Sequence, residues 1–179
     1  MEATNKLEND ALEFARQAHG EQRRKFADEL YIEHPKRVAE LVRSVSHTPE
    51  MICAAYLHDV VEDTPVGIQE IKRRFGEKIG RLVEELTNEY EPHKYPKMNR
   101  RRRKEKEADR QQNISLEAKT IRLADIIDNI PSISLKDPNF ARTYIPEMER
   151  MLESVRDGDF KLLMLACFEV QLAKNRLLR

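Results

Sequence analysis

The sequence has few of the residues that build β-rich, disulfide-bonded or membrane-spanning proteins. Its 179 residues include no tryptophan, five glycines and two cysteines, and aromatic residues make up only 6%. So few glycines leave little room for tight hairpin turns. Low aromatic content with many Leu, Glu, Lys and Arg residues favours an all-α protein. No apolar stretch approaches the roughly 18 residues of a membrane span, and the polar N-terminus does not resemble a signal peptide.

An excess of charge of one sign is also missing. Lys plus Arg and Asp plus Glu number 32 each, so no global field draws the chain to nucleic acid or to an anionic membrane. We therefore expect neither as a partner. Cys53 and Cys167 lie in apolar stretches and are predicted to be buried free thiols, which agrees with a cytoplasmic location. The length predicts one domain over residues 1–179.

Apolar residues at helical spacing predict helices along the first half of the chain. The first helix is predicted to end near His19-Gly20, and the stretch EQRRKFADELYIEHP to form a loop before a helix that opens at His34-Pro35. Thr48 is the predicted N-cap of a third helix. That helix must end near Asp63-Thr64, because Pro65 disfavours helix in the residue before it.

The second half of the chain begins with a charge run, RRRRKEKEADRQQ. We interpret it as a solvated helix or a mobile segment, with phosphate binding by Arg100 to Arg103 as the minor alternative. Ser115 is predicted to open a helix that Pro131 stops, and two more helices follow at about residues 140–155 and 160–178. The whole pattern predicts a compact, all-α, multi-helix fold.

One stretch, LHDVVEDTP, places costly polar groups at the end of an apolar helix. His58, Asp59, Glu62 and Asp63 lie within six positions, and a helix that is otherwise apolar nearly all round is buried. Unpaired charges in such a place are very costly, and the carboxylates face the negative end of the helix dipole. No Lys or Arg occurs in positions 50–71. The cluster therefore indicates a bound divalent metal.

Further metal ligands must come from elsewhere in the chain. Asp125 lies on another apolar helix with Asp128 and Asn129 on the same face, and we interpret Asp128 as a solvent-facing residue near the helix end. His34 stands at a loop-to-helix junction; a lone histidine there is more often an N-cap than a ligand, and Asp125 alone would suit backbone hydrogen bonds. Two imidazoles and two carboxylates suit Mn²⁺ or Fe²⁺, and the candidate set is His34, His58, Asp59 and Asp125.

This pattern resembles that of the HD metal-dependent phosphohydrolases, in which a His is followed by an adjacent His-Asp pair and a distant Asp. The stretches HGEQRRK, YIEHP, AAYLHDVVEDTP, FGEKIGRLVEELT and RLADIIDN occur in the order and spacing of the hydrolase domain of RelA/SpoT-type proteins. The resemblance runs from about Ala11 to Ser132 and is greatest to free-standing small alarmone hydrolases. The bare His-Asp pair is weakly specific, whereas HDVVEDT together with QRRK and YIEHP is a strong signal.

The resemblance implies an HD-domain fold with a central metal site between buried helices. It implies one Mn²⁺ held by the four candidate ligands, with Glu62 and Asp63 positioning and activating the water. The implied reaction removes the 3′-pyrophosphate of guanosine tetra- or pentaphosphate, which gives GDP or GTP and pyrophosphate. Residues that match or flank family positions near the nucleotide are Arg23, Arg24, Lys25, Asn129 and Ser132.

The sequence departs from the family at positions that flank the nucleotide. The stretch FADELYIEHP lacks the family's Gly and Pro, and Ile126 and Asp128 replace a basic residue and a His or Tyr. Adenosine alarmones and the 2′-phosphate of NADPH therefore stay open as substrates, as does a generic HD nucleotidase. A non-catalytic alarmone- or nucleic-acid-binding module using Arg100–Arg110 is the alternative from another class. A homodimer is also left open.

Overall fold

The computed structural model describes residues 2–178, with side chains from residue 6 onward. These residues form ten helices and, apart from one isolated β-bridge between Arg23 and Leu30, no strand. The prediction of an all-α fold is therefore confirmed. The helices are α1 (Glu2–His19), α2 (Glu33–Arg43), α3 (Pro49–Leu57), α4 (Val60–Asp63), α5 (Ile68–Phe75), α6 (Glu77–Leu86), α7 (Arg100–Gln111), α8 (Leu116–Lys136), α9 (Pro138–Ser154) and α10 (Phe160–Leu177).

Helix α3 is the centre of the core. Thr48 caps it by accepting a hydrogen bond from the Met51 backbone N–H, as predicted, and every residue from Met51 to Leu57 is buried. The helix packs against α1, α2, α6 and α8. Because it is enclosed on all sides, the polar residues at its C-terminal end are held inside the protein.

The prediction of one helix as far as Asp63 is wrong, since the helix is interrupted at His58 and Asp59 before the short α4. The His58 ring provides the reason. Its Nδ1 lies 2.8 Å from the Ala55 carbonyl oxygen, which is the acceptor that the Asp59 N–H would use in a continuous helix. The interruption places His58 and Asp59 on a turn.

The prediction that Pro131 stops its helix is also wrong, because α8 continues to Lys136. A proline inside a helix removes one backbone hydrogen bond and costs about 3 kcal/mol. On either side of it, Ile130 and Ile133 are buried, and α8 packs along α10. Packing of this kind supplies most helix stability in proteins, and here it outweighs the cost of the proline.

The charge run forms helix α7, capped by Asn99, whose side chain accepts from the Arg102 N–H. Only Glu107, Ala108 and Gln111 are buried, and most of the helix is solvated. Both cysteines are free, but only Cys53 is buried; the prediction for Cys167 is wrong because its turn of α10 faces outward. None of the helices within residues 2–178 is long and apolar enough to cross a membrane.

Candidate metal centre and adjoining cavity

Four side chains from three parts of the fold converge on one point. His34 comes from the first turn of α2, His58 and Asp59 from the turn between α3 and α4, and Asp125 from the middle of α8. The Asp59 Oδ2 lies 3.1 Å from His58 Nε2 and 3.4 Å from His34 Nε2. The Asp125 Oδ1 lies 3.2 Å from His34 Nε2 and 3.8 Å from His58 Nε2. The structure thus brings together all four predicted ligands.

Both imidazoles are oriented by a partner on their other nitrogen. His58 Nδ1 lies 2.8 Å from the Ala55 carbonyl, which can only accept, so this nitrogen carries the proton. His58 Nε2 is then free to coordinate; it is fully buried, and among the described residues it makes no hydrogen bond, since its 3.1 Å contact with Asp59 Oδ2 lacks hydrogen-bond geometry. His34 is not a helix N-cap, because Ile32 occupies that position. Its Nδ1 lies 2.7 Å from Asp128 Oδ2.

The charges in the cluster call for a cation. Although burial opposes it, contacts with Asp125, Asp128 and Asp59 raise the pKa of His34 to about 9. Burial also lowers the pKa of His58, but the Asp59 charge raises it, and the net result is a raised pKa. Two converging carboxylates, an imidazole nitrogen without a hydrogen bond and a mixed N/O donor set fit one divalent ion of the Mn²⁺ or Fe²⁺ type.

Glu62 and Asp63 lie beside this centre at the end of α4. Asn88, just after α6, fixes Glu62 through its backbone N–H at 2.6 Å and its side-chain amide at 2.8 Å. Burial and the Asp59 charge raise the pKa of Glu62 to about 7. Burial, followed by Asp59, also raises the pKa of Asp63. A carboxylate with a pKa raised in this way, in the metal-free protein, is typical of a general base near neutral pH.

Three further residues at the site were missed from the sequence. Arg122 donates from Nη1 to Asp125 Oδ2 at 2.9 Å and from Nη2 to the Leu86 carbonyl. The Tyr31 hydroxyl donates to Asp59 Oδ2 at 2.6 Å. Asn88 is the third. A buried arginine three positions before Asp125 was a readable signal, since a charge inside an apolar helix needs a partner. Nothing in the sequence marks Asn88.

The centre opens into a small polar cavity of about 220 Å³. Its wall includes Asp59, Glu62, Asp63, Asn88, Lys104, Arg122, Asp125, Asn129 and Tyr144. A larger groove of about 650 Å³ lies between α7 and α9 and shares Lys104 and Glu147 with the cavity. This groove also has four arginines on its walls, Arg100, Arg101, Arg142 and Arg150. The small cavity has room for a phosphate group, and larger substrates must extend beyond it.

The predicted nucleotide-binding residues occupy different places. Asn129 lines the small cavity. Arg23 is exposed and pairs with Asp28, and the Lys25 ammonium lies 5.1 Å from the Phe26 ring centroid. Ser132 lines another cavity, of about 610 Å³, on a face that it shares with Asp128. Arg24 is nearly buried, with 7% of its side chain exposed, and its Nη1 and Nη2 donate to Asp128 and Asn129.

The expectation that Asp128 faces solvent is wrong, because only 9% of its side chain is exposed. Besides His34, it contacts Arg24 at 2.6 Å and Arg37 at 2.5 Å. The hydrogen bond with His34 and the two guanidinium groups hold the pKa of Asp128 well below its usual range despite its burial. Asp128 is drawn inward because the loop before α2 brings Arg24 to it and α2 itself brings His34 and Arg37.

The fold and the sequence match known proteins. The HD domain family matches residues 11–157. Guanosine-3′,5′-bis(diphosphate) 3′-pyrophosphohydrolase of Aquifex aeolicus is 49% identical over 77 residues, which are 43% of this chain and 11% of that protein. The pyrophosphohydrolase MESH1 of Homo sapiens is 35% identical over 132 residues, 72% of this chain and 70% of its own length. The chain thus spans about a tenth of the Aquifex relative and over two thirds of the human one.

Two solved structures share the fold. One, described as a metazoan ortholog of SpoT that hydrolyzes ppGpp, has a TM-score of 0.81 at 24% identity and covers 93% of this chain and 94% of its own. The other, a protein of Listeria monocytogenes EGD-e, has a TM-score of 0.63 at 20% identity and covers 78% and 97% of the two chains. Sequence identities this low support the shared fold alone.

Proposed function

Because this chain belongs to the HD domain family, we propose that it is a Mn²⁺-dependent phosphohydrolase that removes the 3′-pyrophosphate of (p)ppGpp-type nucleotides. The products are GDP or GTP, or the adenosine equivalents, and pyrophosphate. The observation that carries the proposal is the convergence of His34, His58, Asp59 and Asp125 beside a carboxylate, Glu62, that is fixed in place. Relatives that cover this chain well are named for the same reaction.

The ligands proposed for the ion are the four converging side chains. When bound, the ion lowers the pKa of a coordinated water and neutralises charge on a phosphate oxygen. Asn88 holds the Glu62 carboxylate so that, together with Asp63, it accepts the proton of the attacking water. The water oxygen bonds to the phosphorus that is attached to the 3′ oxygen. The bond between this phosphorus and the 3′ oxygen then breaks, and the 3′ oxygen takes up a proton.

The nucleotide is proposed to lie with its 3′-pyrophosphate in the small cavity and its nucleoside outside. Asn129 on the cavity wall supports this arrangement, and Arg23 and Lys25 are the proposed cationic contacts. Since the donor edge of Arg24 is already occupied, its planar face is the part proposed for stacking on the base. Ser132 is proposed to act near the ribose, where the resemblance places it.

A substrate panel tests this proposal. The chain is incubated with ppGpp, ppApp, NADPH and a dNTP, with Mn²⁺ or after chelation, and every product is identified; the Asp59→Ala variant is the control. The proposed activity is supported if pyrophosphate is released from ppGpp or ppApp only when the metal is present and only by the wild type. Orthophosphate from NADPH, or triphosphate from the dNTP, with no alarmone turnover would establish the alternative activities. Binding of ppGpp without turnover would indicate a non-catalytic module.

The proposal also includes a cytoplasmic location and a homodimer that forms through α10. Phe160, Met164 and Phe168 are exposed by 73%, 54% and 62% and form one stripe at a spacing of four residues. Lys161 and Glu169 flank this stripe, and an antiparallel pair of α10 helices is proposed to bring Lys161 of one copy near Glu169 of the other. The stripe offers roughly 400 Å² per copy, about half of a standard interface, so a weak dimer is expected.

Sedimentation velocity over a hundredfold concentration range tests the dimer. The wild type should associate weakly and Phe168→Glu should stay monomeric, while Leu116→Glu, at an exposed apolar position elsewhere, should behave as the wild type. A wild type that is monomeric throughout, or the same association in all three proteins, would contradict the dimer.

A further inference from the structure

We infer that Asp128 is a positioning residue for the metal ligand His34 and that Arg24 and Arg37 hold it in that role. The inference rests on the metal centre of the proposed function and adds a set of residues behind it. Asp128 lies three positions after the proposed ligand Asp125 on α8 and contacts His34 on α2.

The hydrogen bond between Asp128 and His34 is the first observation. Asp128 Oδ2 lies 2.7 Å from His34 Nδ1, and the opposite nitrogen, Nε2, is the one that faces Asp59 and Asp125. A carboxylate on one imidazole nitrogen holds the ring orientation, keeps the proton on that side and makes the other nitrogen a better metal ligand. The side chain of His34 is 2% exposed, so water does not take this place.

Two arginines fix the Asp128 carboxylate. Arg37 Nε donates to Oδ1 at 2.5 Å, and Arg24 Nη1 donates to Oδ2 at 2.6 Å. Glu29 in turn accepts two hydrogen bonds from Arg37, at 2.6 and 3.0 Å. Two guanidinium groups and two carboxylates balance in charge, and paired groups of this kind tolerate partial burial. The Asp128 carboxylate is therefore held both in position and in its ionised form.

The same network reaches a second metal ligand. Arg24 Nη2 donates to Asn129 Oδ1 at 2.6 Å, and the Asn129 amide donates to Asp125 Oδ1 at 2.6 Å. Arg24 thus connects the residues that orient His34 with the residue that orients Asp125. Because its donors are occupied in this way, we assign the edge of Arg24 to the support of the metal site rather than to a substrate phosphate.

Metal affinity is the measurement that tests this inference, because it requires no substrate. Mn²⁺ binding to the whole chain is followed by calorimetry, and the absorption spectrum of the Co²⁺-loaded protein reports ligand geometry. Asp128→Asn keeps the shape of the side chain and removes its charge. We expect Mn²⁺ to bind about 10- to 100-fold more weakly, with an altered Co²⁺ spectrum. Glu29→Gln is the matched control: it also removes a partner of Arg37 but does not touch His34, and its affinity should stay within about twofold of the wild type.

Two further variants keep the test decisive. Arg37→Gln, at a side chain that is 42% exposed, is expected to fold even if Asp128→Asn does not, and to weaken Mn²⁺ binding by about threefold. Arg24→Gln should weaken Mn²⁺ binding in the absence of substrate, whatever it does to KM through the proposed stacking on the base; unaltered Mn²⁺ affinity would refute its assignment here. Wild-type Mn²⁺ affinity and Co²⁺ spectrum in Asp128→Asn would refute the role of Asp128, even if the variant melts at a lower temperature. A wild type that binds no divalent ion would instead refute the proposed metal centre itself.

Discussion

The two helical segments that contribute carboxylates to the cluster differ in whether the helix is continuous at the carboxylate. The α3–α4 segment is interrupted at His58 and Asp59, although no proline lies there, whereas α8 runs unbroken from Asp125 past Pro131. In the α3–α4 segment the His58 ring donates a hydrogen bond to the Ala55 carbonyl. In α8 the buried side chains of Ile130 and Ile133 stabilise the turns on either side of the proline. Side-chain partners and packing, more than intrinsic propensity, decide where these helices break.

Removing one carboxylate from each segment should sharpen this contrast most. Asp59→Ala and Asp125→Ala should each lower kcat/KM by about 10³-fold or more, because each removes a ligand from an ion that supplies several kcal/mol of transition-state stabilisation. Asp125→Ala also leaves the buried Arg122 without its charge partner. We therefore expect it to lower the free energy of unfolding of the metal-free protein by about 3–5 kcal/mol. Pyrophosphate release and urea unfolding in chelator measure the two effects.

Asp59→Ala is the internal control for stability in that comparison. The two imidazoles that face Asp59 can release their protons when it is lost, so the metal-free Asp59→Ala protein should lose much less stability. Equal unfolding free energies for the two variants would show that the Arg122–Asp125 pair does not distinguish α8 from the interrupted segment.

Glu62→Gln tests α4, the short helix that follows the interruption at His58 and Asp59. It should lower kcat by about 10²- to 10⁴-fold, as for the loss of a general base. The pKa of Glu62 is about 7 in the folded protein, above its ordinary value of 4.5. The folded state therefore retains a proton that the unfolded state has lost, and metal-free stability falls as pH rises from about 4.5 to about 7.

The pH dependence gives the sign of the Glu62→Gln effect on stability. Above about pH 7 the variant should exceed the wild type by on the order of 2–3 kcal/mol in chelator, and below about pH 4.5 the two should converge. Urea unfolding at pH 4.5 and pH 8 checks this. A variant less stable than the wild type at pH 8 would contradict it.

Pro131→Ala tests the continuous helix. The change restores a backbone donor and removes the ring from the interior of α8, so the free energy of unfolding should rise by about 1–3 kcal/mol. Pro49→Ala, at the first position of α3, is the matched control, because proline suits that position. Thermal unfolding of the two variants should separate them. No gain in Pro131→Ala would mean that its surroundings already compensate for the proline.

The smallest effect is expected for Asn88→Ala. It removes the side-chain donor to Glu62 but leaves the backbone N–H bond in place. Loss of one such hydrogen bond is worth about 1–1.5 kcal/mol, so kcat should fall by about tenfold with KM unchanged. Steady-state kinetics with Mn²⁺ in excess measures the change, and a raised KM would place Asn88 on the substrate instead.

The helices and the inward carboxylates were predictable, because apolar periodicity and costly buried charges are both visible along the chain. The N-caps Thr48 and Ser115 were predicted for the same local reasons and are confirmed. The contact between His34 and Asp125 depends on how α2 packs on α8. Residue spacing does not predict that packing, whereas the family resemblance implied that both residues hold the same metal. The roles assigned to these ligands, and to Glu62 and Asp63, stay predictions.

The remaining features depend on contacts between distant parts of the chain. Asp128 seemed solvent-facing from its place near a proline, but Arg24 and Arg37, about 90 to 100 positions earlier, draw it inward. Pro131 was predicted to end a helix that tertiary packing continues. Cys167 lies in an apolar stretch of α10, and the spacing of apolar residues did not show which face of that helix is exposed. In each case the deciding partner lies outside the local sequence.

The interruption at His58 and Asp59 also links the abundance of the folded chain to the supply of metal. An ion that binds these preoriented ligands only in the folded state stabilises that state by mass action, by about 4 kcal/mol when the free ion is a thousandfold above its dissociation constant. This increment is comparable to much of the stability of an ordinary domain. Starvation for the ion would therefore lower the amount of folded protein as well as the activity of each molecule.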